Sequence, residues 1–361
     1  MMNPVRNSNK RISGGGKFMG ISNGVKKLLI ISILIILILG IWVWSGIYLP
    51  KKPNSAETVV FSVEKGEGAK EISINLKEQN LIRYKSLFRV YVLIKGFSGG
   101  LKAGEYSLSY SMNIPQIVEK LVSGEVIEKK ITIIEGWNLK DIGRYFENQG
   151  LFSSEDFFYE VTPTEEYIFA DFVEEFDFLK DKPAGATLEG YLFPDTYEIF
   201  SEDGIENIVR ETLANFGKKL NQDLKEEIAL QRKTIFEIVT MASLIEKEVK
   251  TKEDKEIVSG ILWKRLENDI PLQVDATINY ITGKNTTKIF TEETKIDSPY
   301  NTYKYKGLPF GPICNPGLES ISAAIYPKDS EYWYYLSASD GKTIFSKTLK
   351  EHNIAKEKYL K

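Results

Sequence analysis

The spacing of apolar and polar residues changes several times along the chain, and each change marks an element. Leu28 to Leu49 has no polar face: 22 uncharged residues dense in Ile and Leu, with Trp42, Trp44 and Tyr48 near the end. About 20 such residues cross a bilayer core, and aromatic rings suit its border. A polar linker follows (KKPNSAE, 51–57), then Val59–Val63, which alternates as a strand does. Gly66 and Gly68 make a turn, and Ile72 and Leu76 give Ala69–Gln79 a helical spacing. Further helices are predicted at Lys85–Ile94 and Ile114–Val122, the second with Pro115 in its first turn. Residues 153–182 are acidic and aromatic with helical spacing, and carry no evident chemistry. Gly190 and Pro194 make Thr187–Tyr197 an aromatic-lined loop that leads into a strand. Helices are predicted over Ile205–Lys219, Leu224–Leu230 and Lys252–Glu267. Gly307–Gly317 holds three Gly and three Pro in eleven residues, so it is a rigid loop, where binding residues are often placed. A short helix at Ser320–Ala324, two strands (Tyr332–Ala338, Thr343–Ser346) around a turn at Ser339–Lys342, and a polar helix from Leu349 complete the chain.

One stretch carries a chemical signal within its periodicity. A helix opening near Thr234 places Ile235, Val239, Ala242, Ile245 and Val249 on one stripe. Glu246 lies at the edge of that stripe, whereas Glu248 is rotated away and is expected to be freer to meet water. A carboxyl beside apolar surface has its charged form disfavoured, which suits a general acid near neutral pH. Periodicity alone leaves Glu246 open between that role and a boundary residue in a salt bridge.

The chain also repeats itself at a distance of 70 residues. Val60–Gly66 corresponds to the run ending Thr132-Ile-Ile-Glu-Gly136. Lys70, Glu71, Ile72, Gln79 and Leu81 match Lys140, Asp141, Ile142, Gln149 and Leu151. This predicts two copies of a strand–turn–helix unit.

Composition narrows the chemistry. With 361 residues, 42% hydrophobic and 27% charged, the chain is globular and long enough for two or three domains. The single cysteine, Cys314, excludes an internal disulfide and Cys-based metal sites. The single histidine, His352, excludes two-His zinc sites and leaves little room for Ser-His-Asp or Cys-His catalysis. His352 is expected to anchor the C-terminal helix, and Cys314 to be a small buried filler. Neither a cofactor nor a metal is expected. Before the apolar run stand Arg6, Lys10, Arg11, Lys17, Lys26 and Lys27 with no acid, which predicts a cytoplasmic N-terminus and a single retained anchor, not a cleaved signal peptide. The rest of the chain then carries 41 basic against 50 acidic residues, which argues against nucleic acid as a partner.

LEGYLFPDTY, ASLIEKE, LQVDATINY, SPYNTYKYKGLPFGPICNPG and FSKTLKEHNIA, in that order, resemble the endolytic murein transglycosylases of the MltG/YceG-like family. Val274-Asp-Ala276, Phe310 and Cys314 depart from the family's usual residues. The resemblance implies an α+β protein: cytoplasmic tail 1–27, transmembrane helix 28–49, linker 50–57, LysM-like module 58–155 and a mixed α/β catalytic domain 156–361. It implies cleavage of nascent peptidoglycan strands between MurNAc and GlcNAc outside the cell membrane, leaving 1,6-anhydro ends, in company with peptidoglycan synthases. The family's catalytic glutamate falls on Glu246. Gln273, Asp275, Asn301 and Tyr303 are candidates for binding sugar. Glu189 stays open between binding sugar, orienting Glu246 and anchoring its loop. Tyr191, Phe193 and Tyr197 are expected in the core. A hydrolase using Glu246 with Glu189 or Asp275, and a glycan-binding scaffold without catalysis, are the alternatives.

Overall fold

The computed structural model describes residues 23–163, 170–200, 203–284, 286, 289–338 and 341–359. The chain divides into two compact units, Met1–Ile127 and Glu128–Lys361.

The first unit runs α1 (Asn23–Tyr48), β1 (Thr58–Val63), α2 (Ala69–Glu78), α3 (Lys85–Ile94), β2 (Gly104–Ser109) and α4 (Ile114–Ser123). β1 and β2 pair antiparallel, with Thr58 opposite Ser109 and Val63 opposite Gly104, so two helices lie between paired strands. Alternation along the strands turns Phe61, Val63, Tyr106 and Leu108 inward against Ile72, Leu76, Phe88, Val92 and Leu121. α4 opens on a capping box, in which Asn113 and Gln116 each accept from the other's backbone N–H. Among the described residues α1 alone is long and apolar enough to cross a membrane.

The second unit is mostly helical. Its elements are β3 (Glu128–Thr132), α5 (Leu139–Asn148), α6 (Ser154–Val161), α7 (Ala170–Glu175), β4 (Thr196–Phe200), α8 (Ile205–Lys219), α9 (Gln222–Leu230), α10 (Ile235–Glu248), α11 (Lys252–Glu267), α12 (Asp275–Thr282), α13 (Leu318–Ile325), β5 (Tyr334–Ser337), β6 (Thr343–Ser346) and α14 (Leu349–Tyr359). Its strands form two antiparallel pairs, β3 with β4 and β5 with β6. The expected domain limit at 155/156 falls inside this unit. β3 finds its partner in β4, with Ile131 opposite Tyr197, and that long-range pairing holds residues 128–155 to the later elements. The turn at Ser339–Lys342 lies only partly within the described residues.

The 70-residue repeat is a structural one. β1 and α2 reappear as β3 and α5 at the same offset, each after a glycine with positive φ, Gly66 at 92° and Gly136 at 79°. Both helices end through a left-handed residue, Asn80 at 61° and Gly150 at 66°. In both, the leucine that comes next (Leu81, Leu151) donates back into the last turn, to the carbonyls of Leu76 and Phe146.

α10 is the centre of the second unit. Thr234 caps it through a reciprocal pair with Glu237. The expected single apolar stripe is too narrow a description: every residue from Ile238 to Ile245 is buried, so neighbours surround the helix. The small residues Ala242 and Ser243 let them approach, and α13 packs along α10. Tyr191, Phe193 and Tyr197 lie in the core, as expected. Cys314 is fully buried, with its thiol held up by that burial. His352 stacks on Tyr334 at 5.3 Å and so fixes α14 to β5.

Candidate active site

The C-terminal turn of α10 delivers Glu246 and Glu248 in different directions, into two polar clusters. The surroundings of Glu246 are polar, not the apolar surface its helical position suggests. Its Oε2 accepts from Ser320 Oγ at 2.7 Å and from the backbone N–H of Gly317 at 3.0 Å. Its Oε1 faces Lys255 Nζ at 3.4 Å. Each partner has a structural cause. Gly317 caps α13, so its N–H sits at that helix's positive end, and Ser320 lies within the first turn. Lys255 lies in the first turn of α11, which folds back after α10 and keeps the ammonium almost wholly buried.

A second carboxyl stands beside Glu246. Glu135 belongs to the turn of the second repeat copy, and a Cβ on Gly317 would collide with its carboxylate. Desolvation, followed by the charge of Glu246, pushes the Glu135 carboxyl above the usual range, with Lys255 opposing. That turn is tied down on both sides. Gly136 donates to the Asn315 carbonyl at 2.9 Å, Asn315 N–H donates to the Trp137 carbonyl at 2.8 Å, and Lys247 Nζ donates to the Gly136 carbonyl at 3.2 Å. A carboxylate with three donors, one of them a buried cation, and a neighbouring acid that takes up protons readily can hold and move a proton.

Glu248 is not the freer, solvent-facing acid. It is half-buried beside Asp275, within hydrogen-bonding reach of the Tyr335 hydroxyl and the Ala276 N–H, and burial with the Asp275 charge pushes its carboxyl up to about 7. This second cluster gathers three of the sequence candidates. Tyr303 donates its hydroxyl to Asp275 Oδ1. Arg265 donates to Gln273 Oε1 at 2.8 Å, and Gln273 takes a left-handed φ of 55°. A non-glycine residue in that conformation stores backbone strain of the kind that collects at functional sites.

Two candidates have their polar groups committed elsewhere. Asn301, 1% exposed, donates to the carbonyls of Thr294 and Ile296 and accepts from the N–H groups of Tyr303 and Lys304, which shapes the 294–304 loop. Glu189, 3% exposed, accepts the Leu139 N–H on both oxygens at 3.1 Å, where α5 begins. Asn315 and Tyr280 also donate to it, each at 3.3 Å. Burial outweighs these bonds and pushes its carboxyl up to about 8. Asn315 Oδ1 in turn accepts from Gly190 and Leu192, so one side chain joins the 187–197 loop to the 307–317 loop.

Glu135, Lys255, Asn315, Gly317 and Ser320 are absent from the sequence candidates. Gly136 in the repeat and the crowding of Gly and Pro in residues 307–317 are the available signals, and both mark turns, not chemistry. No group of acids, His or Cys among the described residues has the arrangement of a metal site.

Comparison with known proteins converges on one family. Residues 61–358 match the model of the YceG-like family. An endolytic murein transglycosylase of Bacillus subtilis (strain 168) is 35% identical over 319 residues, covering 86% of this chain and 87% of the relative. One from Streptococcus pneumoniae (strain D39) is 32% identical over 328 residues, covering 84% of this chain but 59% of that longer protein. A crystal structure of a yceG-like protein from Listeria monocytogenes superposes with a TM-score of 0.57 at 33% identity, covering 83% of this chain and 99% of that one.

Proposed function

The chain belongs to the YceG-like family, and from that premise we propose that it is an endolytic murein transglycosylase acting on nascent peptidoglycan strands at the cell membrane. The observation that carries the site assignment is the convergence of Ser320 Oγ, Gly317 N–H and Lys255 Nζ on Glu246. In this reading α1 spans the membrane with its N-terminus in the cytoplasm, and both units lie outside. The first unit, with two helices between paired strands, serves as a LysM-like glycan-binding module. Peptidoglycan synthases supply the strands and are the natural partners.

The reaction needs one group in two protonation states. Glu246 gives its proton to the glycosidic oxygen as the C1–O bond between MurNAc and GlcNAc breaks. The MurNAc C6 hydroxyl attacks C1, and its proton passes to Glu246. A 1,6-anhydro end forms, and no water is consumed. Oε2 is held by two donors and fixes the carboxyl's direction, and Oε1, with only the longer 3.4 Å contact to Lys255, is the lobe that meets sugar. Glu135 keeps a protonatable group beside it. Positioned acid–base help of this kind is worth about 10²–10⁴-fold in rate. Gln273, Asp275 and Tyr303 bind sugar hydroxyl and acetamido groups, while Glu189 and Asn301 support the loops.

A second reading rests on Glu248. Its carboxyl, at about 7, is also poised for proton transfer, and Asp275 beside it would make a hydrolytic pair. Digestion of glycan strands by wild type, Glu246→Gln and Glu248→Gln, followed by mass analysis, separates the two. The first reading expects anhydro ends, lighter by one water than hydrolysed ends, and no cleavage by Glu246→Gln. Hydrolysed ends, or activity that survives Glu246→Gln and is lost in Glu248→Gln, would overturn it.

A further inference from the structure

The stripe on α3 is covered for only half its length. Tyr84, Leu87, Val90, Tyr91 and Ile94 succeed one another at helical spacing. The first two are covered by the end of α1: the Tyr84 ring lies 4.8 Å from that of Trp42, and a Cβ on Gly46 would collide with Leu87. Beyond them the half-buried Tyr91 packs on the core of the unit, and the rest is open. Val90 is 45% exposed, Ile94 is 76% exposed, and Leu93 beside them is 70% exposed. Such a patch on a small α+β unit calls for an occupant.

α1 itself indicates which. Its aromatic residues Trp42, Trp44 and Tyr48 are those that mark a membrane border, and α3 meets α1 at that level. The start of the unit is fixed to the same end of α1. Arg83 donates to the Pro50 carbonyl at 3.2 Å, and Asn113 Nδ2 donates to the Tyr48 carbonyl at 3.2 Å. Whatever surrounds α1 at Trp42 is therefore brought to the covered end of α3, next to its open half. The charges agree: residues 81–104 carry Arg83, Lys85, Arg89, Lys95 and Lys102 and no acid. Apolar side chains on one face with a basic border are what a helix lying in an anionic bilayer surface presents.

We propose that α3 lies in the outer surface of the membrane, with Val90, Leu93 and Ile94 inserted at the boundary between headgroups and acyl chains. This rests on the reading of α1 as a membrane anchor. α1 and α3 together then hold the first unit at two points, which fixes its height and tilt above the bilayer.

The test uses the full chain reconstituted into phosphatidylethanolamine–phosphatidylglycerol vesicles, with nitroxide labels introduced as Leu93→Cys, Ile94→Cys, Ile35→Cys and Lys70→Cys. Cys314 is fully buried and stays in place. Collision of each label with oxygen, which concentrates in lipid, and with a water-soluble nickel chelate is measured by power saturation. The expected result is raised oxygen and reduced nickel collision at 93 and 94 relative to 70. Nickel access at 93 and 94 equal to that at 70 overturns the proposal. Low access to both reagents overturns it in favour of a protein surface. The label at 35 keeps the two readings apart, because a water-like signal there rejects the anchor itself, whereas a lipid signal at 35 with a water-like one at 93 rejects only the docking of α3.

Discussion

Lys255 Nζ stands 3.4 Å from Glu246 Oε1, with the two side chains 4% and 9% exposed. A second acid, Glu319, approaches the same ammonium at 3.9 Å from the solvent side. The ion pair therefore compensates a crowd of carboxylates more than it ties two elements together. Removing one partner of a buried pair leaves the other charged and desolvated, at a cost of about 3 kcal/mol. Lys255→Met is expected to lower stability by that order at pH 7. The deficit shrinks on acidification, because Lys255 opposes the rise of the Glu135 carboxyl, and without the cation that carboxyl holds its proton more tightly in the folded state. A group raised in this way stabilises below its unfolded pKa and loses that contribution as pH rises. Urea unfolding at pH 5 and pH 7 checks this, and an equal loss at both would show that only packing was removed.

Glu189 is a different case. Its carboxyl is raised to about 8 by burial. In the unfolded chain it titrates near about 4.3. The stability it contributes is full below that value and is lost as pH rises to about 8, where the folded carboxyl ionises. Glu189→Gln keeps one carbonyl for the Leu139 N–H and removes the titration. It is expected to leave stability nearly unchanged at pH 5 and to raise it at pH 8.5. Glu189→Ala strands the Leu139 N–H and leaves the Asn315 amide with its bond to the Trp137 carbonyl alone, at about 1–3 kcal/mol. Thermal melts of both variants across this range are the measurement, and a Gln variant destabilised at every pH would refute the buried-acid account.

The elements that are legible in the sequence share a local cause. The 70-residue repeat can be read because each copy needs a glycine where φ is positive, and Gly66 and Gly136 mark the same turn twice. The bounds of α3 and α11 track their apolar spacing closely. The features that periodicity hides are all products of long-range contact. Nothing within residues 128–150 announces that β3 pairs with β4 more than 60 residues on. Glu246 is legible as a candidate, but its surroundings are not: Glu135, Lys255, Gly317 and Ser320 lie far from it along the chain or beyond the turn that ends α10. Glu248 illustrates the limit of a helical wheel, since the rotation that would free it turns it towards α12 and β5.

Gly317 gives a substitution whose effect falls on geometry more than on folding. Its φ of −74° is one that any residue adopts, so Gly317→Ala introduces no backbone strain. The new methyl instead meets the Glu135 carboxylate. Glu135 is exposed and can swing outward, so stability is expected to change by less than about 1 kcal/mol. The Gly317 N–H and Glu246 Oε2 lie 3.0 Å apart, and whatever part of the clash the loop takes up lengthens that bond. A fall in kcat of about tenfold with KM little changed is expected, as for an interaction that matters in the transition state as well as for alignment. Steady-state kinetics on glycan strands, with a melting curve beside them, tests the split.

Glu135 provides the sharpest check on proton traffic in the site. Its carboxyl is raised first by desolvation and then by the charge of Glu246. Glu135→Gln keeps the size and the hydrogen bonding of the side chain and removes one negative charge from the cluster. In kcat/KM plotted against pH, the alkaline limb reports loss of the proton from the acid. With one like charge gone from the cluster, the limb is expected to move to lower pH while the maximal rate falls only modestly. Glu319→Gln, made as a control at a carboxyl that approaches Lys255 at 3.9 Å, is expected to move the limb less, because its charge is set against that cation. If the Glu135→Gln profile coincides with that of wild type, Glu135 is a loop residue without influence on catalysis. If the activity disappears altogether, Glu135 belongs among the groups that touch the sugar, and the single-acid mechanism has to give way to one with two carboxyls.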